Sequence, residues 1–207
     1  MIKKINIIFL LIISFSFCSS IFAKEYSTVC DATKKKLLDI GDRKNFRDIV
    51  SSQNSDFKNC VLKDVDLSGA FLRHADFTNA TFINVNMTGA QLNGAKFIGA
   101  DIELTDFSNA NMWDASFHKA SIYATNFSNA NLAGANFSKS NSIRAYFNNA
   151  SLSGSYFQDA VLWHADLTNA NVGGANFINV DFGSSILTGI YGECAKFKGA
   201  IFDNVTR

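Results

Sequence analysis

The chain has 207 residues, 47% hydrophobic and 18% charged, the balance of a globular protein rather than a disordered one. Its formal charge is +1, which fits neither a basic nucleic-acid surface nor a strongly acidic one. Twenty Phe and no Pro point to a regular architecture without kinked turns.

The opening residues, "MIKKINIIFLLIISFSFCSSIFAKEYS", set Lys3 and Lys4 before an apolar run from Ile5 to Phe17, and Ile21-Phe22-Ala23 closes on a small residue. That is the layout of a secretory signal peptide cleaved after Ala23, so the mature chain is expected to be secreted or periplasmic. The rival reading, a retained anchor, needs roughly 20 apolar residues, and Ser14 and Ser16 interrupt a shorter run. No membrane span is therefore expected after cleavage. Lipid attachment at Cys18 is disfavoured by the bulky Phe17 before it. Removing residues 1–23 takes away Lys3 and Lys4 and leaves a charge of −1.

Residues 24–56 contain "CDATKKKLLDIGDRKNFRDIVSSQNS". Asp31 is placed to cap a short helix ending near Gly41, and Phe46, Ile49 and Val50 form one apolar stripe of a second. The segment reads as a short N-terminal helical cap for the open end of the domain that follows, and Lys34–Lys36 as its solvated face.

From Phe57 an apolar centre recurs at every fifth residue as far as Phe202, without insertion or deletion. Two residues before each centre stands a small one, mostly Ala, and two after it commonly Gly or Asn, as at Gly69, Asn79 and Gly89. A period of five fits neither a helix nor a continuous strand. It fits a short extended piece that turns its Ala and its centre inward, followed by a corner tolerant of positive φ. Reading every twentieth residue from Phe57 to Phe197 gives Phe each time, whereas Leu72, Leu92, Met112, Leu132, Leu152, Val172 and Gly192 form a column without an aromatic. Both columns follow from a twenty-residue coil with four faces. The expected fold is an all-β solenoid over residues 57–207, with about 7.5 coils in a rod of roughly 36 Å.

One stretch violates the pattern. In "SKSNSIRAYF", Ser142 stands at a centre and Ile143 outside it. Ala145 and Phe147 restore the phase at once, so Ser142 is expected inside, its hydroxyl bonded to backbone, and Ile143 outside.

The pentads "ANFSK", "ADLTN", "ANMWD" and "ANLAG" resemble the A-(D/N)-L-x-x pattern of the pentapeptide-repeat family, and the resemblance covers residues 55–205. It implies a right-handed quadrilateral β-helix and leaves the activity open, because function is carried by sites rather than folds.

No nucleophile–base–orienter set and no phosphate-binding glycine loop is present, so no catalytic residue and no cofactor is expected. His74, His118 and His164 fall on three faces, which argues against a metal site. Asp66, Asp76, Asp106, Asp166 and Asp181 occupy the slot before a centre that the repeat fills with Asp or Asn anyway. Cys60 points inward in the first coil and Cys30 lies in the cap, so a Cys30–Cys60 disulfide is plausible in an exported protein; a small apolar filler is the alternative use of Cys60. Cys194 belongs to the far end and cannot bridge to Cys60.

Outward columns indicate where a partner would bind. Ser68, Thr88, Ser108, Ser128, Asn148, Thr168 and Thr188 make a polar, solubilising ladder. On the face of Leu62 the slot after the centre instead runs Lys63, Ile83, Glu103, Tyr123, Ile143, Trp163, Gly183, Asp203, with Leu104 and Tyr146 on its flank. Clustered exposed aromatic and aliphatic groups mark contact sites, so Ile83, Leu104, Tyr123, Ile143, Tyr146 and Trp163 form the candidate strip. The expected function is a non-catalytic exported scaffold that binds a protein or cell-envelope partner. Self-association through the C-terminal end is a further expectation, because no helix is left past Phe202 to cover it. The resemblance also offers an alternative, the DNA mimicry of the family's gyrase-inhibiting branch. That mechanism needs a strongly negative rod, cytosolic access and a C-terminal dimerisation helix. Residues 57–207 carry ten basic and twelve acidic residues, and the signal segment directs the chain elsewhere, so no nucleic-acid partner or mimicry is favoured.

Overall fold

The computed structural model describes residues 56–207. The expected signal peptide, the expected helical cap up to residue 55 and Cys30 lie outside the described residues. Five short strands, β1 (Val61–Lys63), β2 (Thr81–Ile83), β3 (Asp101–Glu103), β4 (Ser121–Tyr123) and β5 (Asn141–Ile143), stack in parallel in chain order. Their register sets each residue opposite the one twenty positions on, as in Ile102 with Ile122. Isolated parallel bridges repeat that offset on the other three faces, and on the strand face beyond β5, from Asp56 with Asp76 to Ile186 with Thr206. The chain is thus an all-β parallel solenoid, and no helix occurs among the described residues.

The corners explain the period of five. Every fifth residue from Asn59 to Asn204 has positive φ, and Asn, Asp or Gly fills most of these positions. Those side chains tolerate the left-handed region best. At most corners the amide of the inward Ala then donates to the carbonyl of the preceding centre, as Ala75 does to Leu72 at 3.2 Å. Outward Asx residues brace the same turns: the amide of Ser138 donates to Asn136 Oδ1 at 2.9 Å and that of Thr78 to Asp76 Oδ1 at 3.0 Å. Val65, Val85, Thr105 and Thr125 fill the inward slot after β1–β4, and those corners form without the turn bond.

Inside, the column from Phe57 to Phe197 is one stack of near-parallel rings with centroids 4.6–5.2 Å apart. Offset stacking favours ring separations of about 4.5–7 Å, and strands pair at about 4.8 Å, so the backbone repeat itself places the rings at a favourable distance. Phe107, Phe127 and Phe147 make a second stack that meets the first edge-on, with Phe127 and Phe137 at 88°. Toward Arg207 the centres open to solvent, and Phe197, Phe202 and Val205 are only partly buried.

The irregular stretch keeps its register. Ile122 faces Ser142 and Tyr123 faces Ile143, and Ser142 is fully buried while Ile143 lies on the outer surface. One detail departs from expectation: the Ser142 hydroxyl pairs with the Ser140 hydroxyl at 3.0 Å rather than with backbone. Residues two apart on a strand point to the same side, so two inward serines in one strand segment reach each other before either reaches a carbonyl.

Candidate functional site

β1–β5 form the outer face that carries the candidate strip. Alternation along each three-residue strand buries the middle residue and turns the flanking two outward. Tyr123, Ile143 and Trp163 therefore follow one another on successive coils. The amide of Arg144 donates to the carbonyl of Trp163 at 2.9 Å, which holds consecutive coils in step. Tyr123 is 41% exposed, Trp163 47% and Leu104 53%, whereas Ile83 and Ile143 are half-buried between their neighbours. Tyr146 is exposed around the corner on the adjoining face. The structure thus brings Leu104, Tyr123, Ile143 and Trp163 together and leaves Tyr146 at the border.

The two rings are held differently. The Tyr123 hydroxyl accepts a bond from Arg144 Nη1 at 3.1 Å, and the guanidinium carbon lies 5.9 Å from the ring centroid. The Thr125 hydroxyl donates to the Tyr123 carbonyl at 3.2 Å, which fixes the backbone beneath the ring. The indole of Trp163 lies over Gly183 of the next coil, where a β-carbon would sit 3.1 Å from Cδ1 and Nε1. Glycine at 183 leaves room for the indole, which remains 47% exposed. Leu104 adopts φ 51° while exposed. A leucine gains nothing in solvent and is strained in that region, a combination that concentrates at sites serving function rather than stability.

The repeat geometry is shared with known proteins. The sequence matches the model for pentapeptide repeats, in eight copies, at residues 55–93, 86–122, 125–163, 145–183 and 155–191. The chain belongs to the pentapeptide repeat family. Among solved structures it is similar to the pentapeptide repeat protein Rfr23 of the cyanobacterium Cyanothece 51142, at 28% identity, with TM-score 0.33. That match covers 50% of this chain, which spans 64% of the length of Rfr23. It is also similar to HetL, a pentapeptide repeat protein involved in heterocyst differentiation regulation in Nostoc sp. strain PCC 7120, at 20% identity over 80% of this chain and 90% of that one, TM-score 0.30. The plasmid-mediated fluoroquinolone resistance protein QnrB1 matches at 22% identity over 78% and 73%, TM-score 0.38. No curated protein matches the chain.

On the polar ladder several hydroxyls are tied up in the turns. The hydroxyls of Thr88, Ser128 and Thr168 donate to the Oδ1 of Asn86, Asn126 and Asp166, so these three rungs are committed internally. On the strip face the pattern changes. Asp101, Ser121 and Asn141 stand outward two residues before Glu103, Tyr123 and Ile143, and their side chains bond to no described residue. The reason is local: in a strand the following amide does not turn back to the Asx oxygen as it does in the corner turns. Sequence reasoning missed this row and Arg144, because Asp or Asn before a centre is common to every face. The alternation within one strand was the signal that could have found the row.

The described residues hold no group of three or more His, Cys, Asp or Glu able to bind a metal. His118 Nδ1 lies 2.8 Å from the Ser138 hydroxyl, a coil-to-coil contact on another face. Cys60 is buried and disulfide-bonded, with its partner outside the described residues, and Cys194 is free and exposed.

Proposed function

We propose that the chain is a non-catalytic, exported solenoid scaffold whose strip face docks a component of the cell envelope. The observation that carries this reading is the convergence of Leu104, Tyr123 and Trp163, all more than 40% exposed, on one edge of β3–β5 and the coil beyond. Aromatic anchors dominate binding energetics, and a ring held in place before binding loses less freedom on docking. Tyr123 and Trp163 meet that condition through Arg144 and Gly183. Export is supported by the basic and apolar opening that ends at Ala23, and by a bonded Cys60, which an oxidising compartment maintains.

DNA mimicry finds less support. Ten basic against twelve acidic residues over 57–207 give a net −2, far from the continuous negative charge of a duplex. The strip face moreover carries apolar rings where a mimic needs carboxylates.

The test is retention of the mature protein on isolated cell envelopes, wild type against a Tyr123→Ser, Trp163→Ser double variant. Loss of retention in the double variant, with an unchanged circular dichroism spectrum, is expected. Equal retention of the two proteins refutes the assignment of the strip.

A further inference from the structure

The chemistry of the strip narrows its partner, and the argument rests on the docking role just proposed for this face. Tyr123 and Trp163 occupy one column two coils apart, a separation of about 10 Å along the rod. Tyr123 is tied to Arg144 and Trp163 packs against Gly183, each a residue of the following coil, so both rings are held near their backbone positions. Ile143 lies half-buried between them and leaves the surface low. Two exposed aromatic platforms thus stand on one outer face.

A polar row runs beside the platforms. Asp101, Ser121 and Asn141 project from the same strands two residues earlier, about 7 Å away across the sheet. Their side chains, and that of Glu103, are exposed and make no internal hydrogen bond with described residues. Carboxylates only accept, so Asp101 and Glu103 call for a ligand rich in donors. They also repel phosphate-rich or otherwise anionic partners, while Arg144, the cation beside Tyr123, is engaged by that residue.

We infer that this face binds a flat, uncharged β-1,4-linked glycan strand. The substituents of such a sugar are equatorial, so each pyranose presents an apolar C–H face to a ring and hydroxyl donors at its rim. The linkage turns every unit over relative to the last, so the same face recurs at every second sugar, at about the spacing of Tyr123 and Trp163. Sugars stacked on the two rings would set their hydroxyls against Asp101, Ser121 and Asn141, and the unit between them would pass over Ile143. An α-1,4-linked chain coils and cannot lie along both platforms.

Calorimetric titration of the full mature chain with chitohexaose, cellohexaose and maltohexaose tests the assignment. At least one β-linked hexasaccharide is expected to bind saturably, and maltohexaose at least about tenfold more weakly. Trp163→Ala and Tyr123→Ala are each expected to weaken that binding about tenfold or more, and Trp113→Ala, exposed on another face, to leave it unchanged. Equal affinity for maltohexaose, or binding untouched by both strip substitutions, overturns the inference. Absence of binding to either β-linked hexasaccharide overturns it too. If envelope retention is then still lost in the Tyr123→Ser, Trp163→Ser variant, the docking face stands and its partner is of another class, a protein.

Discussion

The hydroxyls of Ser140 and Ser142 meet at 3.0 Å inside a core that is mostly apolar, and both residues are sealed from solvent. Each satisfies the other, so removing one is worse than removing both. Ser142→Ala is expected to destabilise the protein by about 1–3 kcal/mol, because the Ser140 hydroxyl is left buried and unpaired. The double change Ser140→Ala, Ser142→Val restores an aliphatic centre between Ile122 and Leu162 and is expected to raise the stability above wild type by about 1–2 kcal/mol. Urea unfolding of the single and double variants decides the matter. A double variant less stable than Ser142→Ala would show that the space at this centre does not accept an aliphatic side chain.

The phenylalanine stack makes a position-dependent prediction. Phe137 is fully buried between Phe117 and Phe157, at 4.6 and 4.7 Å. Phe197 stacks on Phe177 alone in its column and is partly exposed. In a solenoid, stability is a sum over neighbouring coils. Phe137→Ala is therefore expected to lose about 3–5 kcal/mol, and Phe197→Ala less than half as much. Equal losses in denaturant titrations contradict nearest-neighbour additivity.

Much of this was legible in the sequence, and the reason is the same additivity. A coil that touches only its neighbours repeats its requirements every twenty residues, so the Phe57 column and the Asn or Gly corners appear as periodicities. The outward placement of Tyr123, Ile143 and Trp163 in one column was legible too, because the period fixes which slot faces out. What stayed hidden depends on a choice between two corner geometries. Asp101 and Asn141 look the same in sequence as Asp76 and Asn136, yet the first two stand free on strands and the second two accept turn amides. Arg144 was hidden because it fills a corner slot with φ 55°, where Asn or Gly is usual and no function is suggested. The Ser140–Ser142 bond needed the knowledge that both side chains share one strand face.

Asp76 gives the fold a pH response of known sign. Partial burial raises its pKa, but the Thr78 hydroxyl and amide and then Lys58 outweigh that, and the carboxyl titrates below its ordinary value. Lys58 lies 3.4 Å and Lys96 4.0 Å from Asp76 Oδ2. A depressed folded pKa means that protonation favours the unfolded chain. The contribution of Asp76 is present above the ordinary carboxylate range and is lost as pH falls through it toward the depressed value. Asn fills the same slot at Asn136 and still braces the turn, so Asp76→Asn removes the ion pairs and the charge on the acceptor of the Thr78 bonds, a small loss of stability at neutral pH. The gap in melting temperature between wild type and Asp76→Asn is expected to close on acidification, and a gap that widens contradicts the assignment.

The disulfide at Cys60 makes the last prediction. Cys60 is buried at the start of the solenoid, 2% exposed, and its sulfur is bonded, whereas Cys194 is exposed and free. Cys30, in the segment expected to cap the first coil, is the partner expected for Cys60, and Cys18 is expected to leave with the signal peptide. Alkylation of the mature, folded protein without reductant is expected to label Cys194 alone. Reduction in denaturant then exposes two further thiols, and peptide mapping is expected to find Cys30 joined to Cys60. A bridge closing a loop of that length contributes about 3–4 kcal/mol by restricting the unfolded chain. Cys30→Ser is therefore expected to lower the unfolding midpoint, and reductant to have no further effect on that variant. If instead Cys60 is labelled in the native protein, or a cross-link to Cys194 is recovered, the cap is not tethered in this way.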